Sequence, residues 1–173
     1  MRILFLLCSL VCSIIMYGQI DYEVTEYDRQ EDYVIIGCNN SVLPFYQIMP
    51  PHAEELMQSV CEGKSQYEGL PIPMSDPKFW INSFAQIQNA YLTASDLKNI
   101  QTHNISMNIM LIFDNHGDMK YMDAVLNSKI FDVITKEQVI SMYRALWKIK
   151  VPMNNEFDNT RYYKGHISFF RYD

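Results

Sequence analysis

Glycine is scarce in this sequence, at 6 of 173 residues, and cations are outnumbered, with 14 Lys and Arg against 20 Asp and Glu. The resulting net charge of −6 excludes electrostatic binding to nucleic acid or to anionic lipid, since both need clustered cations. Charged residues reach only 20% while hydrophobic ones reach 49%, which excludes a disordered chain. Several chemical signatures are also missing. There is no G-x-S-x-G for a serine nucleophile and no G-x-G-x-x-G. Gly63-Lys64-Ser65 lacks the upstream glycine of a phosphate-binding loop. No H-E-x-x-H occurs, and the 4 histidines, His52, His103, His116 and His166, are scattered. They read as surface residues, so neither a metal nor a cofactor is expected. What remains is one ordinary domain's worth of folded, acidic chain, rich in Tyr at 12 residues.

The N-terminus reads as an export signal. Met1 and Arg2 supply a positive start, and Ile3 to Tyr17 is apolar apart from Ser9 and Ser13. That run falls short of the about 20 residues a membrane span needs, and no Lys or Arg follows until Arg29. A signal peptide over 1–18, cut at Gly18–Gln19, is therefore expected. It leaves a single α+β domain over 19–173 with no transmembrane segment, periplasmic or extracellular. Lipid attachment at Cys8 or Cys12 is disfavoured, because Leu7 and Val11 stand where a small residue is needed.

Cleavage leaves Cys38 and Cys61. In an oxidising compartment the pair either forms a disulfide, adding about 3 kcal/mol in the chain-entropy model, or stays as two buried thiols. Neither lies in a C-x-x-C motif.

Along the mature chain, the acidic block Asp21 to Asp32 reads as a solvated terminus. Tyr33 to Ile36 reads as a short strand stopped at Gly37. Ala53, Leu56, Met57, Val60 and Cys61 have helical spacing after Pro50-Pro51, and 64–76 reads as a loop. Asp76-Pro77 opens a second helix through Tyr91, and Thr93 or Ser95 a third through Ile100.

The last third is the most legible. Met107, Ile109, Leu111 and Phe113 alternate as a strand. Asn115-His116-Gly117-Asp118 is turn chemistry, and Met119 to Leu126 returns with Met122, Ala124 and Leu126 inward. Asp114, Asp118 and Asp123 flank this turn and read as solvated. Thr135 to Gln138 is a capping box, and Val139, Met142, Tyr143, Leu146 and Trp147 make the helix stripe that follows. A closing strand runs from Tyr163 to Tyr172. The pattern predicts an antiparallel sheet with helices packed on one face, ending in a β-β-α-β unit. Leu111, Met122, Leu126, Leu146 and Phe169 are expected to meet in its core.

This ending, through the turn at Asp114-Asn115-His116-Gly117, Ser128, Val151-Pro152 and Ile167-Ser168-Phe169-Phe170, resembles the C-terminal domain of TonB over about 105–172. The whole chain, with Phe79-Trp80-Ile81-Asn82-Ser83-Phe84, also resembles small secreted Bacteroidetes proteins of unknown function. The resemblance implies an envelope or extracellular α+β protein with no assigned catalysis. TonB's proline-rich stretch and anchor are absent here, so energy transduction is not implied.

The aromatic residues near the C-terminus are the best candidate contacts. Tyr162, Tyr163 and Tyr172 can offer rings to a peptide or sugar, although alternate residues of the strand must turn inward. The leading expectation is a non-enzymatic module binding a protein, peptide or glycan of the cell envelope. The alternative is a glycan-handling accessory protein or hydrolase of the same compartment.

Overall fold

Seven strands share one sheet in a computed structural model that describes residues 23–39, 44–61, 66–68, 76, 78–153 and 162–170. The strands are β1 (Glu23–Arg29), β2 (Val34–Asn39), β3 (Phe45–Met49), β4 (Gln66–Glu68), β5 (Met107–Asp114), β6 (Met119–Asn127) and β7 (Tyr162–Ser168). The helices are α1 (Ala53–Cys61), α2 (Phe79–Tyr91), α3 (Ala94–Thr102), α4 (Ile130–Val133) and α5 (Lys136–Trp147). Across the sheet the order is β1-β2-β3-β6-β5-β7-β4. Every neighbouring pair is antiparallel except β4 with β7. The class is α+β, as the residue pattern predicts.

Three segments depart from their local signals. Within the acidic block, Glu23–Arg29 is a strand, β1, from Glu23 paired with Asn39 to Arg29 paired with Val34, with a bulge between Glu26 and Asp28. Backbone pairing along an edge does not depend on side-chain charge, so acidity hides the strand from composition. β2 continues through Gly37 because β1 and β3 hold it on both sides. The expected loop over 64–76 contains β4, only 3 residues long and recruited by β7.

The hairpin of β5 and β6 turns as its residues predict. The Asp114 carboxylate accepts from the amides of His116 at 2.9 Å and Asp118 at 3.0 Å. Gly117 has φ +80°, and a Cβ there would lie 1.8 Å from the Val151 carbonyl oxygen. Only glycine meets both demands. Thr135 caps α5 in a reciprocal box with Gln138, and Thr93 does the same for α3 with Asp96. Asp76 accepts from the Lys78 amide at 2.8 Å just ahead of α2.

Strand alternation divides the interior in two. Met107, Ile109, Leu111 and Phe113 of β5 face a large core with Met122, Leu126, Leu146 and Phe169, the meeting expected from their spacing. α2, α3, α4 and α5 contribute Phe84, Ile100, Ile130 and Val139 to it. The opposite face carries α1: Ala53 and Val60 pack with Val34, Met49, Ile112 and Tyr121. The C-terminal strands do not form a unit apart. β6 pairs with β3, and β5 lies between β6 and β7, so they are the middle of the sheet. No helix among the described residues is long and apolar enough to cross a membrane.

Candidate functional site

The candidates named from sequence are not brought together. Tyr163 is 2% exposed, and its ring stacks on Phe113 with centroids 5.8 Å apart. It is a core residue and not a surface contact, because it falls on the inward side of β7. Tyr162 is half-buried against the smaller core, and Tyr172 lies outside the described residues. Cys38 is a free, buried thiol, so the expected bridge to Cys61 is not seen. Burial pushes that thiol up to about 11 and makes it unreactive.

One polar cluster stands out on the α1 face. Asp123 on β6 is 4% exposed and Gln47 on β3 is 3% exposed. One carboxylate oxygen of Asp123 accepts from the Tyr121 hydroxyl at 3.2 Å and from Gln47 Nε2 at 3.3 Å. Burial pushes the Asp123 carboxyl up to about 6, against the opposing pull of Tyr121, Gln47 and Lys164. Burial raises the Tyr121 hydroxyl as well, helped by the Asp123 charge. Asp123 is thus not the solvated turn residue expected. Asp118, 48% exposed and 3.1 Å from Lys150, does behave that way. Asp114 is only 15% exposed, pairs with Lys120 at 3.0 Å and holds the turn through the His116 and Asp118 amides, so it is not solvated either. The missed signal was the period-2 position: Tyr121 and Asp123 share the second face of a strand buried on both sides.

A second polar arrangement is the clasp of the β1–β2 hairpin onto α5. Lys136 reaches Asp28 at 2.9 Å, and the Tyr33 hydroxyl donates to the same carboxylate at 2.8 Å. Lys136, with Tyr33 and Gln30, holds the Asp28 carboxyl down at about 2. Arg144 donates to both oxygens of Asp32, at 2.6 and 2.9 Å. It also lies 5.4 Å from the centroid of the Tyr33 ring. The hairpin therefore sits on α5 through a bidentate ion pair, a lysine and one buried ring. This clasp was invisible in the sequence, where its partners are 112 residues apart.

Among the described residues, no group of three or more His, Cys, Asp or Glu side chains is placed to hold a metal ion. His52 and His103 make local contacts at helix ends, to Glu55 at 3.7 Å and to the Asn99 carbonyl at 2.9 Å. His116 lines an open depression with Asp118, Lys150 and Met153 beside the hairpin turn. No family model, curated protein or solved structure matches the chain.

Proposed function

We propose that this is an exported, non-enzymatic module that binds an extended segment of an envelope protein or peptide along β1. The observation that carries the reading is the place of β1. It ends the sheet among the described residues, is 7 residues long, and is anchored to α5 through Asp28 and Asp32 of its hairpin. A firmly seated outer strand is the element to which an extended chain adds by backbone hydrogen bonds. Export is supported by the Met1-Arg2 start and the short apolar run from Ile3 to Tyr17. The resemblance of residues 105–172 to the C-terminal domain of TonB supports an envelope setting.

The test uses the chain from Gln19 and a displayed library of random extended peptides, selected for binding and then studied in solution. Selected peptides should slow amide hydrogen exchange along β1 and leave α5 unchanged. Binding with protection elsewhere, or no selectable binder, overturns the reading.

A glycan-handling or hydrolytic role is the second reading, favoured by a carboxyl poised near 6 at Asp123. Turnover of envelope glycans that is lost in Asp123→Asn would establish it in place of the first.

A further inference from the structure

We propose that Asp123 is a proton-operated lock on the seam between β3 and β6, tightening the sheet in mild acid and loosening it when the carboxyl is charged. The carboxyl is placed to do this. It lies on β6 and binds Gln47 of β3 across 76 residues of sequence, in the region where Gln47 pairs with Val125 and Ile48 with Ala124. Its second donor, Tyr121, comes from its own strand. Both are neutral, so neither supplies the opposite charge that a buried carboxylate needs.

The remaining surroundings are of the same kind. β5 faces it with Met110, its cross-strand partner, and with a backbone hydrogen bond from that residue. α1 lays Ala53, Leu56, Met57 and Val60 on this face and keeps Glu54 and Glu55 exposed. β2 brings the neutral Cys38 thiol to the same side. From the other face, Tyr143 of α5 is neutral and donates to the Met122 carbonyl at 3.0 Å. On β7 stand Lys164, whose charge favours the carboxylate from a distance, and His166, exposed opposite Met110. The net balance still pushes the carboxyl up, to about 6.

The sign follows from linkage. The carboxyl is held at about 6 in the fold, against 3.8 for the ordinary group. Between those values the folded chain binds a proton that the unfolded chain releases. Stability from this group is therefore full below the unfolded value and is lost as pH rises through about 6. Protonation also gives the carboxyl an O–H donor, while its second oxygen can still accept from Gln47 or Tyr121. An asparagine would keep a hydrogen-bonding amide at the same place and remove the charge.

The experiment is urea unfolding of the chain from Gln19 and of its Asp123→Asn variant between pH 4 and pH 8. At pH 8 the variant should be the more resistant. The gap should close as pH falls from 6 to 4, a relative change in folding constant on the order of a hundredfold. A gap that stays constant across that range overturns the proposal. A carbon-13 titration of the Asp123 carboxyl in the unaltered chain decides the matter even if the variant does not fold. A midpoint near 6 supports the lock, and one near 4 overturns it.

Discussion

The two faces of the sheet bury their strands by different means. One is closed by four helices over an apolar core in which Leu111, Phe113, Met122 and Leu146 are all within 1% of complete burial. The other is covered by α1 over a smaller cluster that includes Val34 and Met49, and it buries Gln47 and Asp123. Burial of apolar area is non-directional, so the first face is stabilised by quantity and shape. On the second, polar groups must find partners, and their protonation enters the energetics. The lesson is that, among the described residues, one face of the sheet buries hydrophobic side chains alone, while the other buries a titratable carboxyl among neutral partners.

The largest effect that sharpens this contrast is expected at Leu146, at the end of the α5 stripe. Leu146→Ala removes a side chain only 1% exposed from the large core and should cost about 2–5 kcal/mol. Denaturant unfolding measures it directly. A cost below about 1 kcal/mol would mean that the helix face is loosely packed.

The corresponding change on the second face is Val60→Ala. Val60, on α1, is 5% exposed and is itself one of only six buried residues in this cluster among the described residues. Its two lost methyl groups should cost about 1–2 kcal/mol, from the usual value per buried carbon and a small cavity term. Selective speeding of amide exchange in α1, with α5 unchanged, would show that the two faces open separately. Equal speeding of both would join them into one cooperative unit and dissolve the contrast.

The periodic elements of both faces are legible in the sequence, including the Ala53, Leu56, Met57 and Val60 stripe of α1, whereas the polar pairs and the register are not, for physical reasons. The apolar stripe of α5 and the alternation of β5 are periodic and local, and Thr135 with Gln138 announces the helix start. Gly117 announces the turn by chemistry alone. The polar pairing of the second face joins partners far apart in the chain, Gln47 with Asp123. Local patterns carry no trace of such pairs. β1 was missed because acidic side chains say nothing about backbone pairing, and β4 because 3 residues are too few to show a period. Tyr163 was misread because its facing depends on the register of β7, where it pairs with Phe113. That register fixes which half of the strand's rings is inward.

The smallest expected effect lies on the rim, where the β1–β2 hairpin meets α5. The Arg144 hydrogen bonds hold the Asp32 carboxyl below its ordinary value of 3.8, against the opposing effect of burial. The side chains of Arg144 and Asp32 are 49% and 48% exposed. Solvent and salt therefore screen the pair, and Asp32→Asn should cost about 0.2–1 kcal/mol at pH 7. The sign is opposite to that of Asp123. A carboxyl lowered in the fold contributes stability that is present above the unfolded value, and loses it as pH falls through the folded one. The Asp32→Asn deficit should accordingly persist at pH 6 and vanish in strong acid, and it should shrink in high salt at neutral pH. The Asp123→Asn difference, behind 4% exposure, should barely respond to salt. If the two differences respond alike to salt, Asp123 is reached by solvent, and the distinction between a buried lock and an exposed clasp fails.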